Sequence, residues 1–176
     1  PKRVLDKRVF AYYKDWHNAV IRALLNTGDY GDDCEVIARR IVPAITPKLV
    51  RESLSLLVEL GLIAKNDAGF YKPTETSITT PEYIRDELVK QFQLRCFEIA
   101  RSAIASQPLP GQIAATNMIS ISERGYSRLT KLTQKYRAQI RSLVAKDEDP
   151  ADRVCQIVLG IVPLTRPPAH PSKTEE

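Results

Sequence analysis

The sequence predicts an α+β fold, with three short helices and a β-hairpin in its first half and helices alternating with strands in its second. Apolar residues recur at helical spacing in three early segments and in two longer, later ones. A turn-rich stretch between two β-like runs follows the third helix, and two further apolar runs in the second half are typical of strands. The 176 residues, 43% hydrophobic and 27% charged, are enough for two small domains.

The first two helices are predicted from apolar periodicity and from the breaks that follow it. The range 9–26 carries an apolar stripe at helical spacing, and the polar sequence NTGDYGDD interrupts it. A shorter helix is predicted over 34–42, before Pro43, with Arg39 and Arg40 on its polar side. These two segments predict a compact pair of helices.

The third helix has the clearest predicted ends. Thr46 is expected to cap its start, with Pro47 in the first helical position, because both residue types are favoured there. Gly61 is expected to end it, since glycine accepts the left-handed conformation that often follows a helix. Its buried face is predicted to consist of Leu49, Val50, Leu54, Leu57 and Val58.

A β-hairpin is predicted directly after the third helix. Leu62 and Ile63 begin one strand, AKNDAG supplies the turn, and FYKPT returns as the partner strand. Three short helices followed by a hairpin form the winged-helix arrangement, a helix-turn-helix variant in which the hairpin is the wing. We assign it to residues 1–77; the alternative is a small helical subdomain with an incidental hairpin.

A second, α-β-α-β domain is predicted over 78–165, after the polar connector ETSITTPEY. A long amphipathic helix is predicted over 83–106, followed by a β-like run over 112–122. Ser122 is expected to cap another long helix, and the continuous apolar run 153–165 predicts a strand buried on both faces. The buried stripe of the last helix is predicted to be Tyr126, Leu129, Leu132, Tyr136, Ile140 and Leu143. Dimerisation or signal sensing would suit this domain, and the Pro-rich range 166–176 predicts a disordered tail.

The composition argues against an enzyme and against a metal or cofactor site. Cys34, Cys96 and Cys155 lie far apart in the sequence and are predicted to be reduced and buried. His17 follows Asp15 closely, which is the pattern of a base with an orienting carboxylate, but a lone histidine on a helix is more often a packed or solvated residue. No apolar run approaches the roughly 20 residues of a membrane span, and no signal peptide is present, so we expect a cytoplasmic protein.

Double-stranded DNA is the expected partner if the third helix enters the major groove. Lys48, Arg51 and Ser55 are predicted on its outward face, where Arg51 and Ser55 would reach base edges and Lys48 would meet phosphate. The remaining predicted contacts come from the second helix and the wing: Arg39, Arg40, Lys65 and Lys72. Residues 33–72 hold six basic and five acidic side chains, so the net charge of +1 is small for a phosphate-binding surface.

A more basic surface is predicted on the last helix. The range between Glu123 and Asp147 has no acidic residue, and four basic side chains recur there on one face: Arg124, Arg128, Lys131 and Lys135. Such a stripe can follow phosphates or dock on an acidic partner. The alternative is a solvated face that pairs with acidic residues of the preceding long helix: Asp86, Glu87 and Glu98.

Five segments in order carry a family resemblance that covers roughly residues 9–165. They are YYKDWHNAVIRALL, PAITPKLVRESLSLLVELGLIAKNDAGFYKPTE, EIARSAIA, NMISISERGYSRLTKLTQKYRAQI and DRVCQIVLGIVPLT. The chain resembles the C-terminal region of the large paralogous family of conserved hypothetical proteins best known from Fibrobacter. Members of that family are described as proteins of unknown function or as transcriptional regulators, and the resemblance implies a further N-terminal helix-turn-helix region ahead of this part. It implies no catalytic or ligand-binding residue.

Two functions therefore stay open at the level of sequence. The first is a transcriptional regulator that binds DNA through the winged helix. The second is a non-enzymatic interaction module, for example a homodimer, in which the third helix is covered and does not contact DNA. An apolar patch formed by Leu56 and Leu60 on the surface would favour the second.

Overall fold

A computed structural model describes residues 10–74, 87–106 and 111–165 of the chain. A short helical segment over 10–14 comes first. The helices and strands that follow are α1 (Trp16–Leu24), α2 (Cys34–Arg39), α3 (Pro47–Glu59), β1 (Ile63–Lys65), β2 (Tyr71–Pro73), α4 (Glu87–Ser106) and α5 (Glu123–Ala145). The mixture of helices with a small antiparallel sheet agrees with the predicted α+β class. The winged-helix assignment stays a prediction.

The chain divides into two compact units. The first lies within Pro1–Thr116 and Glu148–Val158, and the second lies within Asn117–Asp147 and Leu159–Glu176. Helices α1 to α4 and the hairpin belong to the first unit, and α5 belongs to the second. The predicted boundary between residues 77 and 78 and the predicted tail over 166–176 fall outside the described residues.

The core of the first unit forms where α3 packs against α1 and α2. Ile21, Ile37, Val50 and Leu57 have no exposed surface, and they come from all three helices. Each such side chain stabilises the fold by about 1.5–3 kcal/mol when it leaves water. Phe92 of α4 adds an edge-to-face contact to Tyr13 at a ring distance of 4.8 Å, and so attaches α4 to this core.

The first predicted helix is broken in the structure. Asp15 has an extended backbone and separates the helical segment 10–14 from α1, so a single helix over 9–26 is wrong. The Asn18 amide donates hydrogen bonds to the carbonyl oxygens of Ala11 and Tyr12, at 3.4 and 3.3 Å. Asn18 is 1% exposed, so water cannot reach this site. Its side chain supplies the hydrogen bonds that the backbone carbonyl groups beside the break need.

Helices α2 and α3 are bounded by side-chain caps. Asp33 Oδ1 accepts from the amides of Glu35 and Val36, at 3.1 and 3.0 Å, and so caps α2. The predicted cap of α3 is confirmed, because Thr46 Oγ1 accepts from the Leu49 amide at 3.3 Å. Helix α2 ends at Arg39 rather than at residue 42, since the residue before a proline is disfavoured in helical conformation.

The predicted hairpin is confirmed as an antiparallel pair of short strands. Its register pairs Ile63 with Pro73 and Lys65 with Tyr71. The turn is built by Asn66, whose Oδ1 accepts from the amides of Ala68 and Phe70 at 3.1 and 2.9 Å. Local side-chain bonding of this kind explains why asparagine favours turns.

The two strands predicted in the second half are wrong. Neither 112–122 nor 153–165 forms a strand in the described part of the chain, and Ile113 is 92% exposed. An apolar pattern suited to a strand becomes one only where another strand takes its backbone hydrogen bonds. The predicted α-β-α-β order is therefore reduced to the helices α4 and α5.

The three cysteines differ in burial. All three are free thiols, as predicted. Cys34 is buried in the core of the first unit, whereas Cys96 is only partly buried on α4. Cys155, predicted to be buried, is exposed, because the segment 153–165 that contains it does not form the expected strand.

Helix α5 has the predicted start but not the predicted burial. Ser122 Oγ accepts from the Gly125 amide at 3.1 Å, which confirms the cap. No residue of α5 is buried, and three members of the predicted buried stripe are exposed: Leu132 (62%), Tyr136 (48%) and Leu143 (70%). The three others are partly buried: Tyr126, Leu129 and Ile140.

Replacing the glycine after α3 tests the conformation that ends this helix. Gly61 has a φ of 69°, and no atom lies within 4 Å of a Cβ added there, so the cost of Gly61→Ala is a backbone cost alone. We expect Gly61→Ala to lower the free energy of unfolding by about 1 kcal/mol in urea denaturation, and Gly61→Asn by less, because asparagine tolerates this conformation. Equal losses in the two variants would contradict this account.

Candidate nucleic-acid interface

Helix α3 has one face in the core and one face in solvent. Val50, Leu54 and Leu57 lie in the core. Lys48, Arg51 and Ser55 are exposed, as predicted, and follow one another at helical spacings of three and four residues. They therefore share one side of the helix, which makes this side the candidate interface.

The buried face of α3 differs from the prediction at three positions. One is Leu49, which is only partly buried instead of buried. Val58, predicted to be buried, is 45% exposed, whereas Ser53 is 1% exposed. Ser53 lies beside Leu54 and Leu57 at helical spacing, and Val58 lies past the edge of that stripe. Leu60 is buried and Leu56 packs partly against the core, so the apolar patch that would favour a covered α3 is not formed.

A buried hydrogen bond joins α1 to this helix. His17 Nδ1 lies 2.8 Å from Ser53 Oγ, and His17 is only 9% exposed. Burial lowers the pKa of His17, although the nearby Asp15 carboxylate acts in the opposite direction. Because Ser53 is inaccessible to solvent, the pair serves to connect two helices.

The three exposed residues of α3 differ in their partners. Lys48 Nζ lies 3.9 Å from a carboxylate oxygen of Glu52, one turn further along the helix. A surface pair at this distance contributes little to stability and leaves Lys48 free to turn toward a phosphate. No carboxylate of the described residues lies within ion-pair distance of Arg51. Arg51 is thus the charge most available for an external ligand on this helix.

Both lysines of the hairpin strands are bound to the acidic loop between α1 and α2. Lys65 Nζ donates to Asp32 Oδ2 at 2.9 Å and lies 4.9 Å from the centre of the Tyr71 ring. This hydrogen bond lowers the pKa of the Asp32 carboxyl group. Lys72 Nζ lies 2.9 Å from Asp29 Oδ1. The charges of the two lysines are therefore largely compensated within the molecule.

Lys72 has a structural role beyond its ion pair. Its ammonium group also donates to the carbonyl oxygens of Leu25 and Gly28, at 3.2 and 3.0 Å. These two carbonyls follow α1, so Lys72 attaches the second strand of the hairpin to the end of that helix. All three donors of an ammonium group have a partner here.

The two arginines at the end of α2, Arg39 and Arg40, also have partners within the molecule. Arg39 lies 3.7 Å from Glu35 within the same helix. Arg40 lies over the Tyr30 ring at 5.8 Å and donates to the carbonyl oxygen of Asp152 at 3.1 Å. Of the predicted DNA contacts, Arg51 and Ser55 keep the freest side chains.

The basic stripe on α5 is open to solvent. Its four residues are all exposed, and none forms an ion pair with a described residue: Arg124, Arg128, Lys131 and Lys135. The predicted alternative partners Glu87 and Glu98 instead pair within α4, with Lys90 at 3.7 Å and Arg95 at 2.8 Å. Asp86 lies outside the described residues.

Sequence reasoning missed the apolar surface of the second unit. Ten large apolar side chains of this unit are at least 45% exposed: Met118, Ile119, Ile121, Leu132, Tyr136, Leu143, Val144, Leu159, Val162 and Leu164. Leu132, Tyr136 and Leu143 belong to the stripe that the sequence predicts to be buried, and the structure leaves them exposed. Exposed apolar surface of this extent is typical of an interaction site.

Within the described ranges, no group of three or more His, Cys, Asp or Glu side chains is arranged to hold a metal ion. Likewise, none of the described helices is both long and apolar enough to cross a membrane.

A family model with the description "Domain of unknown function (DUF4423)" matches residues 1–164. No curated protein and no solved structure matches the chain significantly.

Substituting the lysines separately distinguishes a structural lysine from a surface lysine. We expect Lys72→Met to lower the free energy of unfolding by about 1–3 kcal/mol, because it leaves two carbonyls and Asp29 without their donor. Lys48→Met, the matched control on α3, is expected to change it by less than about 0.5 kcal/mol. Urea denaturation at neutral pH measures both. Equal changes would show that the Lys72 contacts contribute nothing to stability.

Acidification tests the buried His17. A histidine whose pKa is lowered by folding binds fewer protons in the folded state than in the unfolded state. We therefore expect the free energy of unfolding to be highest above the ordinary histidine pKa of about 6.5 and to fall as the pH decreases below it. His17→Gln should abolish this dependence between about pH 7.5 and 5.5. An unchanged pH dependence in His17→Gln would be evidence against this assignment.

Proposed function

The chain belongs to the DUF4423 family, a domain of unknown function, and we propose that it is a transcriptional regulator that binds double-stranded DNA through the exposed face of α3. The observation that carries the proposal is the division of α3 between a core face and a polar face with Lys48, Arg51 and Ser55. The predicted winged-helix arrangement places its third helix in the major groove, and the predicted resemblance to the Fibrobacter-type family agrees with a regulatory role.

The chemistry of the three side chains suits a recognition helix. Arg51 can bind the O6 and N7 atoms of a guanine with two hydrogen bonds, and Ser55 lies one turn further along the same face. Lys48 in the first turn suits a phosphate contact. A helix such as α3, which is anchored by a buried opposite face, presents these groups on a rigid support.

The ion pairs of the wing limit how strongly such an interface would attract DNA. Lys65 and Lys72 are compensated by Asp32 and Asp29, so they add little positive potential. Phosphate contacts would then come mainly from Lys48 and from Arg39 and Arg40, whose weaker contacts with Glu35, Tyr30 and the Asp152 carbonyl oxygen a phosphate would have to displace. Three contacts imply that the logarithm of the binding constant falls with the logarithm of salt concentration with a slope of about −3.

A non-enzymatic association module is the second candidate function. The observation in its favour is the exposed apolar surface of the second unit, which a DNA contact does not use. Under this proposal the chain serves to assemble proteins, and α3 makes no contact with DNA.

Fluorescence anisotropy with mixed-sequence duplexes tests DNA binding and locates it. We expect Arg51→Ala to weaken binding by about 5-fold or more, since a bidentate base contact is worth about 1–3 kcal/mol. Arg101→Ala removes another exposed arginine, on α4, and is expected to have no effect. The double variant Lys131→Ala/Lys135→Ala reports on the basic stripe of α5.

The outcomes separate the candidate surfaces. A loss confined to Arg51→Ala supports the α3 interface. A loss confined to the double variant would overturn α3 as the binding surface and move binding to the stripe. Failure of the unmodified chain to bind at about 50 mM salt, where phosphate contacts are strongest, would favour the association module.

A further inference from the structure

We propose that α5 pairs in parallel with α5 of a second copy of the chain, along a seam formed by Tyr126, Leu129, Thr133, Tyr136, Ile140 and Leu143. This interaction surface goes beyond the proposed DNA contact and is independent of it, because none of the six residues belongs to α3. The inference rests on the spacing, exposure and charge distribution of α5.

The spacing of the seam residues is that of a coiled coil. Successive members are separated by three, four, three, four and three residues, which corresponds to alternating a and d positions from Tyr126 to Leu143. A strict 3.5-residue repeat keeps one line of side chains directed at a neighbouring helix along its whole length, provided that the two helices supercoil. The pattern of apolar positions in α5 thus fits a partner helix.

The seam is incompletely covered within one chain. No residue of α5 is buried, and the C-terminal half of the seam is the most open, with Tyr136 at 48% and Leu143 at 70% exposure. Two further apolar side chains flank it, Leu132 at a g position (62%) and Val144 at an e position (64%). The apolar strip therefore continues beyond the a and d positions on both sides.

The one polar side chain of the seam other than the tyrosines is already satisfied by its own helix. Thr133 Oγ1 donates to the Leu129 carbonyl oxygen at 3.0 Å. Thr130, beside the seam, donates in the same way to the Tyr126 carbonyl oxygen at 3.1 Å. Covering Thr133 would thus leave its hydroxyl group with a hydrogen bond, and its methyl group is free to pack.

The charges of α5 fit an identical, parallel helix. The stripe Arg124, Arg128, Lys131 and Lys135 occupies only c and f positions, away from the seam. In a parallel pair, each g residue meets the e residue of the next heptad, so Leu132 meets Arg137 and Gln139 meets Val144. No two like charges face each other in these pairs, and the Arg137 stem can lie along Leu132. A self-paired helix is therefore free of electrostatic repulsion at its seam.

The available area indicates a weak dimer. Four side chains at 48–70% exposure and four partly buried ones offer roughly 350 Å² of apolar surface per copy, at roughly 100 Å² for each fully exposed side chain. The pair would bury about 700 Å² of apolar surface in total, which is at the low end of the range of weak or transient interfaces. We expect a dissociation constant in the micromolar range.

Sedimentation velocity of the full chain from about 1 to 200 μM tests the proposal, because this range brackets a micromolar constant. We expect a monomer–dimer equilibrium that Tyr136→Lys/Leu143→Lys shifts toward monomer by at least 10-fold in the dissociation constant. Both positions are already exposed, so the fold should tolerate the change, which circular dichroism verifies. The matched control Gln134→Lys/Ala138→Lys adds the same two side chains at exposed b and f positions and should leave the dimer intact.

Cysteine cross-linking tests the parallel alignment separately. In a background with Cys96→Ser and Cys155→Ser, Leu143→Cys places two thiols opposite each other across a parallel pair, within reach of a disulfide. Ala138→Cys in the same background directs its thiol away from the partner, because residue 138 occupies an f position. Oxidised dimer on a non-reducing gel is expected for the first variant alone.

Three results would overturn the proposal. They are a monomer at all concentrations, dissociation by the control variant as strong as by the seam variant, and equal cross-linking of the two cysteine variants. Salt distinguishes this interaction from DNA binding: screening of the two basic stripes should strengthen the dimer, whereas it weakens contacts to phosphate.

Discussion

The buried face of α3 is the constraint on which the first unit depends. Val50, Leu54 and Leu57 pack against α1, α2 and the start of the hairpin, and the Ser53–His17 hydrogen bond fixes the helix to α1. Because this face is fully committed to the core, the opposite face is held rigidly in solvent. The candidate interface thus follows directly from the packing of a single helix.

The ion pairs of Lys65 and Lys72 hold the hairpin to the loop between α1 and α2, and they leave these lysines with little free charge for a DNA phosphate. The loop between α1 and α2 supplies Asp29 and Asp32, which bind Lys72 and Lys65. The same lysines cannot both hold the hairpin to the helices and contribute fully to a positive potential. Recognition by α3 would therefore depend more on base contacts from Arg51 than on attraction to phosphates. Helix α5 separates its apolar seam from its basic stripe in a similar way, so pairing along the seam would leave the stripe exposed.

Local chemistry was sufficient to predict much of the fold. Thr46, Gly61, Asn66 and Ser122 act through their own backbone neighbourhood, so the ends of α3, the hairpin turn and the start of α5 could be read from residue type. The exposure of Lys48, Arg51 and Ser55 followed from helical periodicity in the same way. Such features need no knowledge of distant residues.

Only the tertiary structure decided which apolar segments are covered and which charges are free. Residues 112–122 and 153–165 have the pattern of strands, but strands require a partner, and none pairs with them in the described part of the chain. The partners of Lys65 and Lys72 lie more than 30 residues away in the sequence. Sequence by itself thus determined the two ends of α3, the hairpin turn and the start of α5, because those depend on neighbouring residues. Strand pairing, burial and ion pairing depend on distant ones.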